Sequence, residues 1–169
     1  ARILGSKRHD LVIATKGGVS WSKGKDDKRA KTSINCSAKY IKKSVENSLL
    51  RLKLDCLPIY YIHYPDPNVD IRHTYECLNK LKEEGKIDLI GCSNYNSAQL
   101  LQACEVAKIS LIQIPINLII GGPEQAILDV CKTYDIKIIA YNVLSWGILT
   151  GKFNKESKFH SNDRRSLLP

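Results

Sequence analysis

Short apolar runs alternate along this chain with stretches whose apolar residues recur every three or four positions. Residues 11–15, Leu-Val-Ile-Ala-Thr, are apolar and rich in branched side chains, which predicts a buried strand with a turn at Lys16-Gly17-Gly18. Residues 19–32 are polar and rich in lysine, with Trp21 as the lone large apolar residue, and predict a loop. Ser37 suits a helix cap, and beyond it Ile41, Val45, Leu49 and Leu52 mark one helix face. Residues 57–62 read as the next strand, ending at His63. Two prolines forbid regular structure across 64–68. Ile71, Tyr75, Leu78 and Leu81 predict a helix closed by Gly85. Residues 87–91 form a strand, and Ser97 is the expected cap of a helix carrying Leu100, Leu101, Cys104 and Val106. Residues 111–114 form a strand. Pro123 is placed at the first position of a helix whose apolar side is Ile127, Leu128 and Cys131. Residues 136–141 are the last clear strand.

Strand and helix thus alternate four times and end on a fifth strand. Such alternation means parallel strands with helical crossovers, an α/β fold. A doubly wound sheet and a (β/α)8 barrel both satisfy it, and pattern alone does not choose. No G-x-G-x-x-G follows any strand, which counts against a dinucleotide-binding doubly wound sheet. No internal repeat or low-complexity segment is visible.

The chain has 169 residues, enough for a single domain over residues 1–169. Hydrophobic content of 43% and charged content of 25% fit a soluble globular protein. The longest apolar run, residues 111–120, is broken by Gln113, Pro115 and Asn117, and falls short of the ~20 residues a membrane helix needs. The first residues lack the apolar core of a signal peptide. A cytoplasmic location is expected, with no membrane or nucleic-acid partner. The absence of any methionine points to a segment of a longer or processed protein. Six cysteines lack metal-ligand spacing and mostly fall in apolar periodic segments, as reduced buried thiols do. The net charge of +9 is uneven: residues 1–53 hold 14 Lys or Arg against 4 Asp or Glu. These are scattered, without a nucleic-acid motif, and read as a solvated helix face and loop.

In parallel folds, function gathers at the carboxyl ends of the strands. Here those ends are Lys16, His63, Ser93-Asn94, Gln113 and Tyr141, all able to donate or accept hydrogen bonds. With residues 12–16, the stretch 48–66 through Tyr-Tyr-Ile-His-Tyr-Pro-Asp, residues 84–87, Gly91-Cys92-Ser93-Asn94, Gln113 with Asn117-Leu118, Tyr141, and the Leu-Ser-Trp-Gly-Ile-Leu-Thr-Gly-Lys loop of 144–152, the chain resembles the aldo-keto reductase family over nearly its whole length.

The resemblance implies a (β/α)8 TIM-barrel fold, here an incomplete barrel of about five parallel strands, and NADPH-dependent reduction of a small-molecule aldehyde or ketone. It implies that Lys16 lowers the pKa of a proton-donating tyrosine and that His63 polarises the carbonyl. Ser93, Asn94 and Gln113 would hold the nicotinamide carboxamide, and Tyr141 would stack on its ring. Leu144, Ser145, Gly147 and Leu149 would wrap the pyrophosphate, with Trp21 and Tyr64 lining the substrate pocket. The family's aspartate and proton-donating tyrosine lie upstream of the lysine. Only residues 1–10 precede its strand here, so the first two barrel strands and the last are expected to be missing. That leaves room for self-association or a completing chain. The alternative reading is a non-catalytic, cofactor-binding regulatory or truncated member of the same family. A metal-dependent hydrolase is disfavoured, because His63 lacks clustered ligands.

Overall fold

The computed structural model describes residues 3–22, 31–154, 156–161 and 163–167. Its elements run β1 (Ala14–Gly17), β2 (Val19–Ser22), β3 (Lys31–Ile34), α1 (Ala38–Leu52), β4 (Leu57–Ile62), α2 (Ile71–Glu83), β5 (Ile87–Ser93), α3 (Ser97–Cys104), β6 (Ile109–Pro115), α4 (Gln125–Thr133) and β7 (Lys137–Tyr141). Five strands form one parallel sheet in the order β1-β4-β5-β6-β7, and β2 pairs antiparallel with β3 in a separate ribbon. Spatial order therefore follows chain order throughout. A doubly wound sheet reverses direction at a switch point, whereas a barrel wall does not. The choice that pattern left open falls on the barrel side.

Strand alternation divides the sheet into two faces. Tyr60, Ile62, Ile90, Cys92, Ile112 and Ile114 point one way and are buried against the helices, among Ile41, Val45, Tyr75, Leu78, Leu81, Leu100 and Ile127. Lys16, Tyr61, Gly91 and Leu111 lie in register across four strands on the opposite face. This is the face that a closed barrel turns inward. A Cβ at Gly91 would stand 2.5 Å from the Tyr61 ring, so the glycine is what lets that ring lie across the neighbouring strand.

Several boundaries differ from the sequence expectation. The first strand is Ala14–Gly17, because its register is set by pairing Ala14 with Ile59 through Gly17 with Ile62. Leu11 and Val12 are left 49% and 76% exposed. Gly17 belongs to the strand, and the turn starts at Gly18, whose φ is 90°. Residues 19–22 and 31–34 form a ribbon instead of loop, pairing Val19 with Ile34 and Trp21 with Thr32. Its Ser20 and Ser33 hydroxyls hydrogen-bond at 2.6 Å. The rest of that predicted loop, residues 23–30, lies outside the described residues.

Strands β5 and β6 run longer than predicted at their ends, and β7 starts one residue later. Helix α3 is capped by Asn96 rather than Ser97. The Asn96 Oδ1 accepts from the Gln99 N–H at 2.9 Å, and the Gln99 Oε1 accepts from the Asn96 N–H at 3.0 Å, a capping box. Val106 falls beyond the end of that helix. Pro123 precedes α4, whose N-cap is Glu124 in an extended conformation. Ser37 is the N-cap of α1, but its hydroxyl donates to Asn35 Oδ1 and caps nothing. Gly85 does close α2: with φ at 72° it donates to Lys82, while Lys86 donates to Leu81.

Candidate active site

The ends of the parallel strands converge at one rim. Lys16 is the third residue of β1, opposite Tyr61. It keeps access to solvent, yet its strand neighbours desolvate it enough to lower its pKa. His63 follows β4 directly and is fixed at both ends of its peptide unit. Its N–H donates to Gly17 O at 2.9 Å, and its carbonyl accepts from Asn94 Nδ2 at 2.9 Å. The imidazole stacks on Tyr64 with centroids 4.7 Å apart. Burial first, then the Lys16 charge, lower its pKa. The two predicted reacting groups are thus close enough for one to feel the other's charge.

Ser93, buried at the end of β5, donates from Oγ to Gln113 O at 3.1 Å. Asn94 turns the chain in the left-handed region at φ 63°, a conformation asparagine tolerates better than most residues. Its Nδ2 also donates to Ser93 Oγ at 3.1 Å, and its Oδ1 accepts from the Tyr141 hydroxyl at 2.5 Å. Gln113 stands opposite Ser93 on β6, and the Tyr61 hydroxyl is directed at it. Tyr141 ends β7, its pKa raised by burial and by nearby Tyr64. One connected set therefore joins Lys16, His63, Tyr64, Ser93, Asn94, Gln113 and Tyr141 across all five strands.

The other predicted positions lie beside this set. Trp21, 73% exposed on β2, lines a 360 Å³ cleft with Lys16, Tyr40, Lys43, Asn47 and Arg51. Tyr64 borders a different hollow, with Val19, Thr32, Ser33 and Ile34. The two predicted pocket walls thus border different hollows, which meet at Val19. Leu144, Ser145, Gly147 and Leu149 form a tight turn over Ser145–Thr150, with Ser145, Trp146 and Gly147 all at positive φ. Ser145 is buried and Leu144 is 54% exposed. Ser145 lines a 630 Å³ hollow with Ile119, Ile148, Lys158, Phe159, Arg165 and Ser166.

Sequence reasoning missed three supports. Tyr61 shares the Lys16 face, a placement that strand parity with His63 could have shown. Asn142 clamps the turn, its Oδ1 accepting from Trp146 N at 3.0 Å. Asn117 holds Asn142 O through Nδ2 at 3.0 Å. Asn117 stands in a stretch that carries the family resemblance but has no role assigned by it, and nothing local in the sequence distinguishes Asn142 from an ordinary turn residue.

A family model described as the aldo/keto reductase family matches residues 1–169. The chain belongs to the aldo-keto reductase family. It is 35% identical over 163 residues to the aldo-keto reductase YhdN of Bacillus subtilis, covering 96% of this chain and 47% of that protein. It is 31% identical to the aldo-keto reductase yakc [NADP(+)] of Schizosaccharomyces pombe, covering 96% of this chain and 48% of that one. The solved glycerol dehydrogenase of Gluconobacter oxydans superposes with a TM-score of 0.92 at 36% identity, over 99% of this chain and 51% of that structure. This aldo-keto reductase chain spans about half the length of the relatives it matches, and its five parallel strands correspond to part of their TIM barrel. The family is one of oxidoreductases. Among the described residues no helix is long and apolar enough to cross a membrane, and no group of three His, Cys, Asp or Glu could hold a metal ion. None of the six cysteines is paired.

Proposed function

We propose that this chain carries the nicotinamide-facing part of an NADPH-dependent aldo-keto reductase site, acting on a small aldehyde or ketone. The observation that carries the reading is the connected set at the strand ends. A carboxamide needs both a donor and an acceptor; the Gln113 side chain supplies both kinds beside Ser93, and Asn94, whose two amide hydrogens go to His63 O and Ser93 Oγ, keeps an acceptor at Oδ1. Tyr141 supplies an aromatic ring next to them. In the hollow beside Ser145 the Lys158 ammonium offers a positive charge to a pyrophosphate, while Arg165 is paired with Asp163 at 2.5 Å. The S. pombe relative carries NADP(+) in its name, which supports the choice of cofactor.

When bound, the dinucleotide supplies the hydride. The chain's own residues do the rest. His63, uncharged near neutral pH, donates an N–H to the carbonyl oxygen and orients it. The Lys16 ammonium stabilises negative charge on a neighbouring proton donor. Trp21 and Tyr64 limit the approach of the carbonyl compound.

Titration of the protein with NADPH, followed by quenching of its tyrosine and tryptophan fluorescence, tests the reading. Saturable binding is expected, weakened about tenfold or more by Asn94→Ala, since that change removes hydrogen bonds of about 1 kcal/mol each. Turnover of a reactive aromatic aldehyde, lost in His63→Ala, would complete the case. Binding without turnover would favour a cofactor-sensing role. No saturable binding would defeat both.

A further inference from the structure

The loop that follows His63 contains a buried carboxylate to which the reaction outlined above gives no part. Asp66 is 7% exposed, and among the described residues no ion pair reaches it. A buried charge persists only where hydrogen bonds replace its water. Here two backbone N–H groups do so, one to each oxygen. Asn68 N donates to Oδ1 at 2.9 Å, and Cys36 N donates to Oδ2 at 2.8 Å. The first bond is a local turn staple of a common kind. The second is not local, since it crosses thirty positions of sequence to the segment between the ribbon and α1.

Cys36 is engaged at every polar atom. Its Sγ donates to Tyr64 O at 3.5 Å, and its carbonyl accepts from Thr74 Oγ1 at 3.0 Å. Its neighbour Asn35 donates to Gly18 O at 2.9 Å, and Gly18 follows the residue that receives the His63 N–H. The chain leaving His63 therefore returns, through Asp66 and Cys36, to the strand end that carries Lys16.

We propose that Asp66 is a positioning residue for His63: its carboxylate latches the 64–68 turn to Cys36 and so keeps the Tyr64 ring stacked on the imidazole beside Lys16. His63 has its backbone pinned by Gly17 and Asn94, but the Tyr64 stack is its ring's described partner. Tyr64 is itself 40% exposed, and its main chain is held by Cys36 Sγ on its carbonyl. The latch reinforces that hold. The inference rests on the reading of His63 as the group that meets the carbonyl.

Two variants of the full chain test the latch by proton NMR. Asp66→Asn replaces one acceptor oxygen by an amide that cannot accept. Thr74→Val removes the Cys36 anchor with no change of charge. Lys16 from β1 and Tyr64 from the loop are the charged and titratable groups facing His63, and neither is altered. Asp66→Asn is expected to weaken the nuclear Overhauser contact between the His63 and Tyr64 rings. It should also move the His63 titration midpoint upward by roughly half a pH unit, as the ring leaves its desolvated seat. Thr74→Val should do the same to a lesser degree.

A staple with no further role would lower the melting temperature and leave the His63 contact and midpoint unmoved. That result in both variants, or in Thr74→Val alone if Asp66→Asn does not fold, overturns the proposal. The measurement needs neither cofactor nor turnover. If His63→Ala kept full activity, the functional reading would fall while the coupling still stood.

Discussion

Burial and the Lys16 ammonium both press the His63 imidazole toward its neutral form, and this decides what the pair can do near pH 7. A neutral ring still has one N–H to give to a carbonyl oxygen, and it adds no second cation beside the lysine. The sign of the linked stability change follows. The folded pKa lies below the ordinary value of about 6.5, so the unfolded chain takes up the proton first as pH falls. Stability is lost from about pH 6.5 down to the folded midpoint, then levels off, and above 6.5 this group contributes no pH dependence. Lys16→Met should raise the His63 midpoint toward 6.5 without reaching it, because burial remains. Imidazole proton shifts followed through an acid titration would show it, and an unmoved midpoint would mean that the two groups do not share a site. The placement of Lys16 and His63 at neighbouring strand ends was legible in the sequence because each closes a short apolar run. Tyr61 was not, since beside Tyr60 it looks like one more core aromatic. Strand parity already turns the two tyrosines opposite ways, and the register with Lys16 and Gly91 shows which of them faces the site.

At the scale of elements, α3 offers a sharp test of how local chemistry sets a boundary. Asn96 and Gln99 exchange side-chain bonds with each other's backbone N–H groups, while Ser97 is merely the first helical residue. Asn96→Ala should cost about 1 kcal/mol of stability and Ser97→Ala only a few tenths, read as shifts of the urea midpoint at constant slope. The reverse order would return the cap to Ser97. The long helices and central strands were legible because their apolar periods extend over several turns or alternations. The ribbon of β2 and β3 was not, because four residues per strand give too short an alternation. Its pairing is held instead by long-range contacts, such as the Tyr40 hydroxyl donating to Val19 O at 2.9 Å. The first strand starts three positions later than expected and ends two later for a related reason. The apolar run at 11–15 is intrinsically strand-like, but the partner β4 selects which four of its neighbours pair.

At the scale of the whole molecule, among the described residues the sheet is covered by helices on one face only, and its outer strands β1 and β7 each present an open edge. On the uncovered face Ile59, Leu89 and Leu111 are only partly buried, and Ile139 is 40% exposed. A polypeptide of these 169 residues should therefore bind a hydrophobic dye such as anilinonaphthalene sulfonate and gain mass with concentration, since open edges template pairing. The two edges are not equivalent. Beside β1 the cleft is lined by Lys16, Lys43 and Arg51, so two copies meeting there would bring like charges together. The β7 edge carries Lys137 alone among its five residues. Association should then proceed through β7 and strengthen with salt, because added ions screen the net charge of +9; the screening length shrinks from about 10 Å at 0.1 M to about 3 Å at 1 M. Ile139→Lys should lower both dye binding and the sedimenting mass, whereas Lys43→Gln should raise the mass at low salt. Association that weakened as salt was added would show that charge attraction drives it, and would put the contact on the basic side.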